Sequence, residues 1–379
     1  MKNINLNKLK IALVHDFFLE YGGAERVVEV IHDLFPNSDV FTSLINKKNM
    51  KIHWYRFHNW RFKTSWFGKT PILKNYPSPF RFLIPLIWES FDLSSYDLVI
   101  SSSGWLMCKG VITRPETLHI SYIHHQNKFL TYYETPDTWR QNTIKRIYGH
   151  LVGTPLRMWD YVSSSRPDIM IANSKETQKR ISKYYRRKAQ VIYPPVKDPK
   201  VKITSKLKEV KNYYLNVNRL SRPKHVEVLI KAANKLGIKL YIVGHGREYS
   251  YLKSIAQKNI VFTGEISDIE LDRLYMGAKG FLFASQDEEF GIAPVEAMMC
   301  GIPVIAYNSG GLKETVQHGV NGLLVEKLEP ELFVKAIRQF GKMDYAQLSK
   351  QAHKSAKRFS VSEFQNHLLD VVKSNLQQS

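Results

Sequence analysis

Cysteine is nearly absent. The only two in 379 residues, Cys108 and Cys300, stand in no paired or metal-ligand spacing, which argues against a disulfide framework or a zinc site. A reducing, cytoplasmic compartment is the expectation. Long hydrophobic runs are absent too: no segment reaches the roughly 18 apolar residues that span a bilayer. The opening MKNINLNKLKIALVHDF holds an apolar run of only about four residues, too short for a secretory signal. Acid is the third scarcity, with 34 Asp and Glu against 55 Lys and Arg, a net charge of +21. Such an excess attracts nucleic acid, anionic lipid or phosphorylated substrates, and charge alone does not choose among them. A hydrophobic fraction of 44% is that of an ordinary globular protein and excludes a disordered or collagenous chain.

At this length two domains are expected, because single cores stop growing at about 250–300 residues. Short apolar runs alternate with amphipathic stretches, the pattern of parallel sheets covered by helices. The first half predicts strands at 10–14, 97–101, 118–123, 168–172 and 190–193. Residues 194–212, PPVKDPKVKITSKLKEVKN, read as an interdomain linker. A second set follows at 213–217, 239–243, 259–263, 280–284 and 302–306, with a helix over 226–236. The fold class is therefore α/β with two doubly wound domains, whose ligands belong beyond the carboxyl ends of the strands.

The strongest motif is QDEEFGIAPVEAMMCGIPVIAY, residues 286–307, with Glu288 and Glu296 eight residues apart across a strand-to-helix turn. Pro294 suits the first helical position, and Gly301 with Pro303 ends the helix, placing Glu296 in its first turn. A carboxylate accepts two hydrogen bonds side by side and so suits vicinal hydroxyls of a ribose or hexose. The backbone at the helix start, Gly291 and Ile292, would face a phosphate. For an isolated Glu296 a helix-dipole role is the ordinary reading.

The run E-E-F-G-I-A-P-V-E-A-M-M-C-G-I-P-V-I-A resembles the E-x7-E signature of family-four retaining glycosyltransferases, closest to their mannosyltransferase-like bacterial polysaccharide branch. The likeness runs along almost the whole chain. It implies a GT-B fold, two Rossmann-like domains facing a central cleft: an acceptor domain over 1–195, a donor domain over 200–355, and a terminal helix at about 356–379 that packs back on the first. It also implies that Glu288 lies against the transferred sugar and Glu296 holds the ribose.

Other segments gain meaning beside that resemblance. Arg219 and Lys224, in LNVNRLSRPKHVEVLI, follow a predicted strand, where a guanidinium and an ammonium would neutralise a leaving diphosphate. In so basic a chain the bland reading is a solvated surface pair, and the family's phosphate-binding pair reverses it. Gly22 and Gly23, after the first strand, would let backbone approach phosphate; Asp16 nearby is an acceptor-side candidate, and an ordinary loop polar is the other reading for it and for Glu20. His124, at the end of strand 118–123, would donate a hydrogen bond to sugar or phosphate. The family's usual H-T-P-M-R-Y reads H-H-Q-N-K-F here, so His124 is kept while Lys128, on the acceptor side, replaces an arginine. Gly310 and Gly311 are expected to present N–H groups to the donor. Gly244 to Gly246 lack the third glycine of a dinucleotide fingerprint.

No D-x-D motif occurs, and neither metal nor cofactor is expected beyond the nucleotide-sugar donor. Residues 51–88 hold seven Lys or Arg, no Asp or Glu and eleven aromatics, among them Trp54, Trp60, Trp66 and Trp88. They read either as a face for an anionic membrane or as core rings with exposed charges. A nucleic-acid groove would share that composition, but no such motif accompanies it. The resemblance implies a metal-independent retaining hexosyltransferase, with GDP-mannose the favoured donor and a lipid-linked or oligosaccharide acceptor, peripheral on the inner face of the membrane. A UDP-sugar enzyme and a catalytically silent nucleotide-sugar or polyanion binder on the same fold are the alternatives.

Overall fold

The structure, a computed structural model, describes residues 6–135, 139–200 and 212–376. The chain folds as two compact units. The first comprises Met1–Tyr133, Asp137–Pro195 and Val361–Ser379, the second Glu134–Pro136 and Val196–Ser360.

The first unit is built on a seven-stranded sheet: β1 (Ile11–His15), β2 (Asp39–Thr42), β3 (Arg61–Thr64), β4 (Leu98–Ser103), β5 (Leu118–Ile123), β6 (Ile169–Ala172) and β7 (Gln190–Val191). Their order is β3-β2-β1-β4-β5-β6-β7, every pairing parallel. β1, β4 and β5 are buried along their whole length, as strands covered on both faces must be. The helix Gly23–Leu34 buries Val27, Val28, Val30 and Ile31 against this sheet's core. The last helix, Val361–Leu376, adds Phe364, Leu368, Val371 and Val372 to the same core, with Phe364 edge-on to Tyr122 at 5.7 Å. It therefore packs in the first unit although it follows the second in sequence.

The second unit has six parallel strands: β8 (Tyr213–Val217), β9 (Lys239–Val243), β10 (Ile260–Gly264), β11 (Gly280–Phe283), β12 (Val304–Tyr307) and β13 (Gly322–Val325). Their order is β10-β9-β8-β11-β12-β13. The helix Val226–Leu236 covers it, and Gly237 ends that helix at φ 64°, where a Cβ is unfavourable. In each sheet the order reverses once, between β1 and β4 and between β8 and β11, and such switch points open a crevice beyond the strand ends.

Three strands escape the sequence reading: β2, β3 and β13. The expected linker 194–212 is described only up to residue 200; residues 201–211 lie outside the described part. The portion that is described is tied down, with the Val196 N–H bonded to Phe359 O at 2.8 Å and the Lys200 N–H to Asp272 Oδ2 at 2.7 Å.

Candidate active site

In the second unit, Arg219 and Lys224 lie on the loop after β8 and Glu288 on the loop after β11, the two strands flanking the switch point. The Gln286 N–H, bonded to Pro223 O at 2.9 Å, draws the loops together. Lys224 Nζ then meets Glu288 Oε2 at 2.5 Å, with the side chains 24% and 17% exposed. Ser285 Oγ donates to the same carboxylate oxygen at 2.6 Å. Burial opposes ionisation of Glu288, but Lys224 and the Ser285 hydroxyl outweigh it and hold the carboxyl below the usual glutamate range. Glu288 is thus an oriented, charged acceptor. Arg219 is exposed on the same loop.

The helix after this loop is Ile292–Met299, preceded by Gly291 at φ 86°. Pro294 is its third residue and Glu296 its fifth, so the expectation of Pro294 at the first position and Glu296 in the first turn is corrected. The left-handed Gly291 starts the helix two residues earlier than proline chemistry suggests. Glu296 Oε2 accepts a hydrogen bond from the buried Tyr275 Oη at 3.1 Å, which fixes one oxygen and points the carboxylate. Neither Ser285 nor Tyr275 carries a motif signal.

Two glycine pairs act as supports. A Cβ on Gly310, at φ 54°, would stand 2.1 Å from Glu288 O, and one on Gly311 2.1 Å from Glu289 O. The Gly311 N–H itself bonds Glu288 O at 2.8 Å, which corrects the expectation that it faces a donor. Gly244 and Gly246 do the same beneath the other loop, where a Cβ would come within 2.0 Å of Asn218 O and Leu220 O respectively. Both pairs let backbone press against the loops bearing Arg219, Lys224 and Glu288.

In the first unit, a buried polar chain joins the ends of β1, β4 and β5. His124 Nε2 meets Ser102 Oγ at 2.7 Å, and Ser102 Oγ meets His15 Nδ1 at 3.0 Å. His15 Nε2 lies 3.6 Å from Glu25 Oε1, and Glu25 Oε2 accepts the Gly22 N–H at 2.8 Å. His124 and the Gly22–Gly23 loop are therefore coupled through His15, Ser102 and Glu25, all missed by sequence reasoning. Gly22 has ordinary extended geometry at φ −125°, so its N–H rather than its freedom of φ matters here.

Asp16 is corrected. Its Oδ2 accepts N–H groups of Gly104 at 3.0 Å and Leu106 at 2.8 Å, and its Oδ1 that of Cys108 at 3.0 Å. It is buried and spends its acceptors on pinning the loop after β4, so it is not an acceptor-side group. Lys128 is half-buried in the turn after β5.

The rings of 51–88 divide. Trp88 is fully buried and donates to Leu106 O at 2.5 Å, while Trp54 stacks on Phe62 at 5.7 Å and Trp60 on His32 at 4.0 Å. Trp66, Tyr55 and Tyr76 are exposed. Burial, with Arg61 nearby, pushes the His32 imidazole down to about 4. The buried His119 falls to about 3 for the same first reason, Arg166 adding to it.

Two doubly wound parallel sheets, each carrying polar loops at its switch point, define a two-domain Rossmann-like α/β protein of the GT-B type. Comparison with solved structures agrees on the fold: Anabaena Alr3699/HepE in complex with UDP and glucose superposes with a TM-score of 0.72 at 19% identity, over 96% of this chain and 100% of that one. Residues 198–359 match the family model described as Glycosyl transferases group 1.

Among curated proteins, the chain is 29% identical over 272 residues to alpha-1,3/1,6-mannosyltransferase ALG2 of Rhizomucor pusillus, covering 56% of this chain and 58% of that protein. It is 34% identical over 113 residues to the GDP-mannose-dependent alpha-mannosyltransferase of Corynebacterium glutamicum, covering 30% and 27%. The chain thus spans little more than half the length of the ALG2 relative and less of the other.

Proposed function

We propose that this protein is a retaining, metal-independent hexosyltransferase that moves mannose from GDP-mannose to a lipid-linked or oligosaccharide acceptor in glycan biosynthesis, working at an anionic membrane surface facing the cytoplasm. The observation that carries the reading is the 2.5 Å pair between Lys224 and Glu288 at the switch point, with the oriented carboxylate of Glu296 on the helix that follows.

In this reading a diphosphate lies against Lys224 and Arg219, which stabilise the charge that grows on it as the glycosidic bond breaks. Glu296 takes the ribose hydroxyls, with Tyr275 keeping one carboxylate oxygen occupied. Glu288, kept ionised by the Lys224 ammonium beside it, accepts hydrogen bonds from the sugar. The leaving phosphate takes the acceptor proton, so no protein nucleophile is nominated. His124 would donate to sugar or phosphate, its ring held by Ser102. Mannose and GDP are favoured because the relatives named above are mannosyltransferases, one of them GDP-mannose-dependent.

Thermal stabilisation by a panel of GDP-, UDP-, ADP- and dTDP-sugars tests the donor. A shift with GDP-mannose above the others supports the reading; a larger shift with a UDP-sugar transfers it to that donor, and no shift with any sinks it.

A further inference from the structure

The helix Thr143–Ser163 of the first unit has two unlike faces. Gly149, Gly153, Leu156, Asp160 and Ser163 are buried. At 3.6 residues per turn the opposite side carries Ile144, Ile147, Leu151, Met158, Tyr161 and Val162, between 51% and 80% exposed. Single exposed apolar side chains are normal on a protein surface, but six aligned along one helix are a patch that wants a partner. The helix has one acid, Asp160, and it is turned inward onto Lys109 at 2.5 Å. At 3.6 residues per turn Arg146, His150 and Arg157 fall along one flank of that stripe, and the helix turns no carboxylate outward.

The patch extends beyond the helix. Tyr148 Oη donates to Pro79 O at 2.5 Å and Trp159 Nε1 to Glu89 Oε1 at 2.8 Å, so one flank rests on the 78–89 segment. That segment adds Phe82 and Leu86, both more than half exposed. Among the described residues no helix is long and apolar enough to cross a membrane, and this one breaks its apolar stripe at Thr154 and Pro155.

We propose that this face is the docking surface for an anionic phospholipid bilayer. The helix lies in the headgroup plane, its stripe reaching the acyl boundary and its bases meeting lipid phosphates. A second copy is disfavoured as occupant, because it would bring together two chains of net charge +21 with no acid on either outward helix surface to offset them. The inference deepens the membrane part of the proposed function and moves it from the aromatic-rich 51–88 stretch, many of whose rings are core, to a helix the sequence reading did not single out.

The test is cosedimentation of the full chain with vesicles of phosphatidylcholine alone or mixed with phosphatidylglycerol. The wild type is expected to bind the mixed vesicles about tenfold more tightly, weakening with salt. Leu151→Glu with Met158→Glu is expected to lose at least about tenfold of that binding. Both side chains are at least 67% exposed, so an unchanged melting temperature checks that the variant folds. Equal binding by variant and wild type, equal affinity for neutral vesicles, or a lipid-free dimer that the variant breaks would each overturn the proposal. GDP-mannose binding, measured without lipid, should be the same in variant and wild type. Failure of the wild type to bind any nucleotide sugar would remove the functional reading and leave the docking surface standing.

Discussion

Lys224 and Glu288 lie 64 residues apart in sequence and 2.5 Å apart in space. Each limits what the other can do. The ammonium keeps a mostly buried carboxyl ionised, and the carboxylate neutralises a cation that a diphosphate would otherwise engage alone.

Glu288→Gln keeps the shape of the side chain and frees that cation. It is expected to lower transfer at least about 100-fold while tightening GDP binding by about three- to tenfold, since a competing charge near one pair is worth about 1 kcal/mol. Titration calorimetry and a turnover assay check both. Unchanged turnover would remove Glu288 from the reaction, and weaker GDP binding would contradict the competition.

Ser102→Ala removes the hydroxyl shared by His15 and His124. With both imidazoles buried, the loss should cost about 1–3 kcal/mol of stability and lower turnover with little change in donor affinity. Urea denaturation and kcat against KM separate these effects; a turnover equal to wild type would show that His124 needs no such anchor.

Gly310→Ala drives a Cβ into the Glu288 carbonyl at a φ of 54°. About 1–3 kcal/mol of destabilisation is expected, with the Lys224 to Glu288 geometry disturbed and GDP affinity reduced. Gly319→Ala is the control. It shares a positive φ, 79°, but a Cβ there meets nothing within 4 Å, so it should cost stability without touching GDP binding.

Acid sensitivity should follow from His32 and His119. Folded, they stay neutral down to about 4 and about 3, whereas unfolded they take up protons near 6.5. Since the folded pKa is the lower one, the unfolded chain binds more protons. Stability therefore falls as pH drops below about 6.5, by about 1.4 kcal/mol per pH unit for each histidine. The loss from His32 ends near pH 4. His32→Phe, which keeps a ring on Trp60, should flatten the urea midpoint against pH over that window; an unchanged slope would show that His32 is not a source.

Much of this was legible in the sequence. Parallel strands covered on both faces are continuous apolar runs, so β1, β4, β5, β8 and β11 announce themselves. β3 does not: its RFKT is exposed and half-buried in alternation at a sheet edge. β2, DVFT, offers only two consecutive apolar residues, too few to register, whereas β13, GLLV, is as apolar and as long as β11, so its length does not hide it. Strand-end logic put Lys224, Glu288 and His124 on the right loops. It could not see that Asp16 turns inward to three backbone N–H groups, or that Gly310 and Gly311 serve another loop's backbone, because both depend on contacts remote in sequence. The Glu25, His15 and Ser102 chain was hidden for the same reason.

The central claim, hexosyl transfer with retention from a nucleotide sugar, is tested most directly by the first sugar anomer released when the protein turns over GDP-mannose, read by proton NMR before mutarotation. The account predicts α-mannose and GDP from the wild type and neither from Glu288→Gln. β-Mannose as the first product, or no cleavage of GDP-mannose or of UDP-, ADP- and dTDP-sugars even with lipid acceptors present, would contradict it.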